Sequence, residues 1–304
     1  MINPKLLRQF AVEPGSEVSL KDYVTDWTET DEAKELGKDV IKERAAEILA
    51  ESRKQLSEAQ ELLYASDTHS VLIVLQAMDA AGKDSAIEHV MSGINPQGCE
   101  VRSFKAPSSN ELKHDFLWRH ARVLPERGRI GIFNRSHYEE VLVVRVHPEI
   151  MEGQNIPDHL VGDDVWKMRF KDIRAFERHL ANNGTVILKF FLHVSRDEQA
   201  RRFLDRIEEP DKNWKFSASD ISERERWDDY MHAYEDMIQN TAREHAPWHV
   251  VPSDNKWFAR MVIAATIVEA LERIDPKFPE VSDKAIKRMQ EDRKLLKKEL
   301  GHED

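Results

Sequence analysis

The stretch from Val71 to Ser85, Val-Leu-Ile-Val-Leu-Gln-Ala-Met-Asp-Ala-Ala-Gly-Lys-Asp-Ser, constrains this fold more than any other. Val71 to Gln76 is a continuous apolar run. A strand apolar on both faces must be covered on both, as in a buried parallel sheet. The run passes into a loop of small residues ending Gly82-Lys83, and a helical pattern follows. That is the layout of a phosphate-cradling loop. Backbone N–H groups there converge on an anion, and the positive end of the next helix points at it. Ala80, Ala81, Gly82 and Ser85 are the candidate backbone contacts. Gly82 permits close approach, and Lys83 can reach a phosphate oxygen.

The loop departs from the common pattern. Ala77 stands where a first glycine is usual, Asp84 stands where Ser or Thr is usual, and Asp79 adds a second acid. A carboxylate beside a phosphate is repulsive unless a cation lies between them. Asp79 and Asp84 are therefore the candidate ligands of Mg²⁺, which prefers hard oxygen donors. Two other readings stay open. Asp79 could accept a proton or orient an incoming phosphate. Asp84 could be a first-turn acid that favours the helix dipole.

The rest of the chain alternates helix and strand. Helices are expected over Asp31–Tyr64, from Gly82 to near Gly93, and over Asn110–Leu124, Asp164–Asn182, Asp197–Glu208, Asp220–Glu244, Lys256–Ile274 and Ser282–Leu300. Strands are expected over Val71–Gln76, Glu100–Phe104, Arg129–Phe133, Thr185–Val194 and Trp248–Pro252. The implied class is α/β, a parallel sheet covered on both faces.

The third strand ends Phe133-Asn134-Arg135-Ser136-His137-Tyr138. Ligands in open α/β sheets bind beyond the carboxyl ends of the strands, so Arg135 is placed to reach a phosphate held by the first loop. The competing reading is a strand-end salt bridge. His137 reads as a hydrogen-bonded structural histidine. Arg202 and Arg206 lie four apart after the fourth strand, facing one side of a helix, with Lys212 and Lys215 beyond. Together they form a candidate phosphate clamp on a mobile lid, against the plainer reading of a solvated charged helix.

Composition limits the partners. The 304 residues carry a net charge of −11. That speaks against a general nucleic-acid binder, and basic groups for a polyanion must then be concentrated locally. One cysteine, Cys99, permits no internal disulfide and fits a reducing compartment. The N-terminus reads as no signal peptide, and the longest apolar stretch, Met261 to Val268, is too short to span a bilayer. The expected location is cytoplasmic, with no membrane partner.

Five motifs in order resemble the polyphosphate kinase 2 family: Ala77 to Asp84, Asn134-Arg-Ser-His-Tyr138 with its preceding Phe133, Trp166-Lys-Met-Arg-Phe170, Phe190-Phe-Leu-His193, and Asp211-Lys-Asn-Trp-Lys-Phe216. The resemblance covers about residues 40 to 275 and makes the loop acids normal for the family. It implies a thymidylate kinase-like, P-loop kinase fold with a five-stranded parallel sheet and a helical lid. The implied activity is reversible transfer of the terminal phosphate of inorganic polyphosphate to ADP and AMP, regenerating ADP and ATP, with Mg²⁺ or Mn²⁺. By position, Asp79, Lys83 and Asp84 fall in Walker A, Arg135 follows the Walker B strand, and Arg202 and Arg206 match lid arginines. The Asn-Arg-Ser-His-Tyr form resembles the single-domain branch, often called class III, that accepts AMP as well as ADP. Asn134 replaces an acid found there in other branches, which shifts metal duty onto Asp79 and Asp84.

The expected organisation is an N-terminal arm and helix over 1–66, a catalytic core over 67–274 with a lid at about 196–246, and a charged helix over 275–304. The long helices are expected to pack on the core or to join subunits in a homo-oligomer, a dimer or tetramer. The alternative activity is an ATP-dependent nucleoside monophosphate kinase of the same fold. Asp84 weighs against it, since ordinary members carry a hydroxyl there.

Overall fold

A computed structural model describes residues 4–162 and 164–301; the outermost residues of the expected N-terminal arm and C-terminal segment, 1–3 and 302–304, lie outside them. Five strands form one parallel sheet: β1 (Ser70–Ala77), β2 (Cys99–Ser103), β3 (Ile130–Asn134), β4 (Thr185–His193) and β5 (Trp248–Pro252), in the order β2-β3-β1-β4-β5. All eight residues of β1 are buried. It is the central strand, paired with β3 from Val71 against Ile130 and with β4 from Ser70 against Thr185. The chain reverses direction of travel across the sheet beside β1. The carboxyl ends of β1 and β3 therefore open side by side, where ligands of such sheets bind.

Eight principal helices surround it: α1 (Lys38–Ser66), α2 (Lys83–Val90), α3 (Val165–Asn182), α4 (Arg196–Glu208), α5 (Ser219–Glu225), α6 (Trp227–Thr241), α7 (Lys256–Ile274) and α8 (Asp283–Glu299). α1 buries Ile41, Ala45, Leu49, Leu56 and Leu63, a stripe at helical spacing, and lays it along α7. α7 is buried nearly all round because α1, α2 and the sheet enclose it. Its Phe258 stacks on Trp27 at 5.0 Å between ring centroids, which ties the N-terminal arm to the core. Ala11 bridges His249, and the Val12 N–H donates to the Trp248 carbonyl at 2.9 Å.

Three expected helices differ. The segment Asn110–Leu124 is not one helix: a single 3₁₀ turn, Glu111–Lys113, is followed by one α turn, Trp118–Ala121. Side chains capture its backbone instead, the Ser108 N–H donating to Glu111 Oε2 at 2.7 Å and the Leu117 N–H to Asp115 Oδ1 at 3.0 Å. The expected helix Asp31–Tyr64 breaks at Gly37, whose φ of +82° and ψ of +137° suit glycine alone. The expected helix Asp220–Glu244 breaks at Arg226 and ends at Thr241. Its second part is core: Tyr234, Met237 and Ile238 are buried.

Candidate active site

The loop after β1 turns twice through left-handed backbone, at Ala80 (φ +61°) and Gly82 (φ +109°). A Cβ on Gly82 would meet only ordinary contacts, Lys256 Cγ at 3.8 Å and Arg202 Nη1 at 3.9 Å. The backbone angle, not lack of room, therefore calls for glycine. α2 starts at Lys83 and directs its N-terminal N–H groups into the loop. Lys83 is buried, its Nζ folded back to donate to the Ala77 carbonyl at 2.8 Å and the Met78 carbonyl at 3.4 Å. Burial, and then the neighbouring Arg135, pull its ammonium down to about 8.

The end of β3 faces this loop. Arg135 also adopts left-handed backbone, φ +62°, and its Nη2 donates to Asp79 Oδ1 at 2.7 Å. Its Nη1 lies 3.8 Å from Glu139 Oε2. Asn134 Nδ2 donates to Asp84 Oδ1 at 2.6 Å. Both acids of the loop are thus engaged by consecutive residues of β3's end. His137 is buried, but neither ring nitrogen has a hydrogen-bond partner; Glu177 Oε1 is 3.7 Å away.

Asp79, Arg135, Glu139, Asp220, Tyr230 and Tyr234 line a narrow cleft beside the loop. Burial pushes the carboxyl of Glu139 above its ordinary range, against the pull of Arg135. Burial likewise raises Asp220. Gln199 Nε2 donates to the Asp79 carbonyl at 3.0 Å and its Oε1 accepts from Arg224 at 3.0 Å, joining loop and lid segment. Ser85 Oγ accepts from Arg260 Nη2 at 2.5 Å.

The structure gives the lid cations different surroundings. Arg202 is buried and committed to the protein: Nη1 donates to the Ala80 and Ala81 carbonyls at 2.9 and 2.8 Å, Nη2 to those of Ser253 and Asp254 at 2.6 and 3.0 Å, and Nε to Glu198 at 2.8 Å. It braces the loop from behind and has no donor left for a phosphate. Arg206 reaches Asp220 Oδ2 at 3.3 Å. Lys212 pairs with Glu209, and Lys215 lies over the Trp214 ring at 5.0 Å.

Among the described residues no three acids, histidines or cysteines converge as a ready metal cage. The donors present are the carboxylates of Asp79 and Asp84, each with one oxygen tied to Arg135 or Asn134. Such carboxylate donors suit Mg²⁺, which completes its shell with phosphate oxygens and water and seldom uses an all-protein cage.

Sequence reasoning did not single out Glu139, Gln199, Asp220, Tyr230 or Arg260. Glu139 carried a readable signal, four residues after Arg135 and directly after the same motif. The others depend on tertiary placement.

The polyphosphate kinase 2 family model matches residues 39–279. The chain belongs to the polyphosphate kinase 2 family. It is 50% identical over 292 residues to an ADP-polyphosphate phosphotransferase of Rhodopseudomonas palustris, covering 96% of this chain and 98% of that protein. An AMP/ADP-polyphosphate phosphotransferase of Meiothermus ruber is 43% identical over 274 residues, 90% of this chain and 96% of that one. The crystal structure of polyphosphate kinase 2 from Arthrobacter aurescens TC1 superposes with a TM-score of 0.81 at 36% identity, over 93% of this chain and 94% of that one. The P-loop kinase-like fold expected from the motifs is thereby established for this chain.

Proposed function

We infer that this chain is a polyphosphate-dependent nucleotide phosphotransferase, moving the terminal phosphoryl group of inorganic polyphosphate to ADP and to AMP, reversibly. Its membership of the family supports the reaction, and the Asn134-Arg-Ser-His-Tyr138 motif supports AMP as a second acceptor. One observation carries the site assignment: Asp79 and Asp84 of the phosphate loop are held by Arg135 and Asn134 from the neighbouring strand end.

In the reaction an oxygen of the nucleotide's last phosphate attacks the terminal phosphorus. The bond from that phosphorus to its bridging oxygen breaks, and the shortened polyphosphate leaves with the electron pair. The protein contributes positioning and charge. Loop N–H groups and Lys83 hold phosphate oxygens. An arriving phosphate competes with the Asp79 carboxylate for Arg135, whose guanidinium then faces the charge that develops during transfer. Asp79 and Asp84 would hold Mg²⁺, with Mn²⁺ the alternative ion. When bound, the ion neutralises phosphate charge and orients both substrates.

The segment 196–226, α4 to α5, is the part we assign to the lid, with Arg206, Lys212 and Lys215 as its phosphate-facing cations. Its narrower extent than 196–246 follows from the burial of α6. None of the helices among the described residues is long and apolar enough to cross a membrane. A cytoplasmic location and assembly into a homo-oligomer are part of the same proposal.

The test uses purified protein, polyphosphate, Mg²⁺ and ADP or AMP, resolving AMP, ADP and ATP over time. ATP from ADP, absent from the Lys83→Ala protein, is the expected result. Phosphorylation of AMP by ATP with no dependence on polyphosphate would instead identify an ordinary nucleoside monophosphate kinase.

A further inference from the structure

Three ionisable side chains beneath the site take no part in the chemistry above, yet all are buried: Tyr138, Glu177 and Lys189. They come from three elements, the turn after β3, α3 and β4. Tyr138 Oη donates to Glu177 Oε1 at 2.6 Å. Lys189 Nζ donates to Glu177 Oε2 at 2.7 Å, Tyr138 Oη at 2.8 Å and the Thr241 carbonyl at 2.9 Å. All three ammonium protons are used, and both carboxylate oxygens accept. Trp248 closes the cluster, its ring 4.9 Å from that of Tyr138 and its Nε1 donating to Thr241 Oγ1 at 2.9 Å.

Stability alone does not explain this arrangement. A buried ion pair gains little over well-packed apolar groups of the same volume, because two charges must leave water. Its location suggests another use. Tyr138 lies three residues after Arg135, whose left-handed backbone costs a residue carrying a Cβ about 1–2 kcal/mol. Such a conformation persists only where both flanks are fixed. On one flank the Arg135 N–H continues the sheet ladder to the Leu75 carbonyl at 3.1 Å. On the other, Ser136 Oγ accepts from the Tyr138 N–H at 3.2 Å, and the Tyr138 side chain ends in the buried cluster.

We propose that Tyr138, Glu177 and Lys189 are positioning residues that clamp the turn after β3 and so aim the Arg135 guanidinium at the phosphate loop. The proposal rests on the phosphotransferase reading for its kinetic test, and on geometry alone for its structural test.

The experiment is a double-mutant cycle between Tyr138→Phe and Arg135→Lys, with a crystal structure of the Tyr138→Phe protein. Tyr138→Phe keeps ring and volume and removes only the hydroxyl. Loss of aim should lower kcat about tenfold while KM for ADP changes less than about twofold, since displacements under an ångström are costly in transfer reactions. In the Arg135→Lys background, which lacks the guanidinium to be aimed, the same substitution should lower kcat no further. The crystal structure should show Arg135 withdrawn from Asp79 or out of its left-handed backbone. Equal loss of kcat in both backgrounds, or an unchanged Arg135 in the crystal, overturns the proposal. Should Tyr138→Phe not fold, the paired change Glu177→Gln with Lys189→Met serves the same cycle, because it removes the charged acceptor of the Tyr138 hydroxyl and leaves no buried charge unpaired. A wild-type protein that transfers no phosphate would sink the functional reading, while the crystal structure still decides the clamp.

Discussion

At the residue scale Lys83 is the group whose charge the site both needs and penalises. Burial, and then Arg135, bring its ammonium from the ordinary 10.5 to about 8. In the free enzyme the cation is intact below that value and lost above it. For polyphosphate, kcat/KM should therefore stay level below pH ~8 and fall as pH rises through it, because that ratio reports the free enzyme. Bound phosphates restore the cation, so the corresponding limb of kcat should lie at higher pH. A Lys83→Arg protein should lack the limb, since guanidinium does not titrate there. Stability runs the other way. The folded value lies below the unfolded one, so between about 8 and 10.5 the folded chain binds fewer protons. This lysine's cost is full below pH 8 and fades as pH rises across that window. Lys83→Met should accordingly raise unfolding free energy at pH 7 by about 1–3 kcal/mol, read by denaturant titration, while abolishing transfer.

At the scale of elements, Arg202 shows what a sequence can conceal. The spacing from Arg202 to Arg206 places both on one helix face, which holds, since α4 runs from Arg196 to Glu208. What spacing cannot say is which end of that face meets the phosphate loop. Arg202 meets it from behind and holds four carbonyls; Arg206, one turn on, stays nearer the cleft with Asp220. A brace and a clamp respond differently to mutation. Arg202→Lys keeps the charge but loses the fork, and each buried carbonyl left unpaired costs about 1–3 kcal/mol. Substrate-free protein should therefore melt at lower temperature, and KM for polyphosphate should rise about tenfold as the loop loosens. An unchanged melting temperature with the same kinetic loss would make Arg202 a phosphate clamp after all. The β-α framework was legible for the opposite reason: β1 and α7 are so apolar that only burial on every side accommodates them. Asn110–Leu124 misled because its polar side chains cap their own backbone, a choice that helical periodicity does not register. Asp220 was invisible because it reaches the cleft only through the break at Arg226 and the packing of α6.

For the whole molecule, the open question posed by the surface is α8. It has no buried residue, yet Ile286, Met289, Leu296 and Leu300 are 41%, 52%, 59% and 72% exposed. Their spacing of three, seven and four residues keeps them on one stripe, at the a and d positions of two heptads and, for Leu300 at the C-cap, the first position of a third, with Arg293 filling the remaining a position. A second copy of this chain would complete a pair of such helices, so the homo-oligomer we propose is expected to draw part of its contact from α8. Two heptads with a buried arginine are too few to hold subunits alone, since helices this short are marginal without further packing. Removal of residues 282–304 should therefore shift the assembly toward smaller species in a concentration-dependent way, measured by light scattering on a sizing column, rather than give monomer outright. The core buries no residue of α8, so the truncated protein should keep its secondary structure. Truncated protein with an unchanged number of subunits down to nanomolar concentration would remove α8 from the interface. A truncated protein that unfolds would show that the helix packs on its own core, against the exposure of every apolar side chain along its stripe.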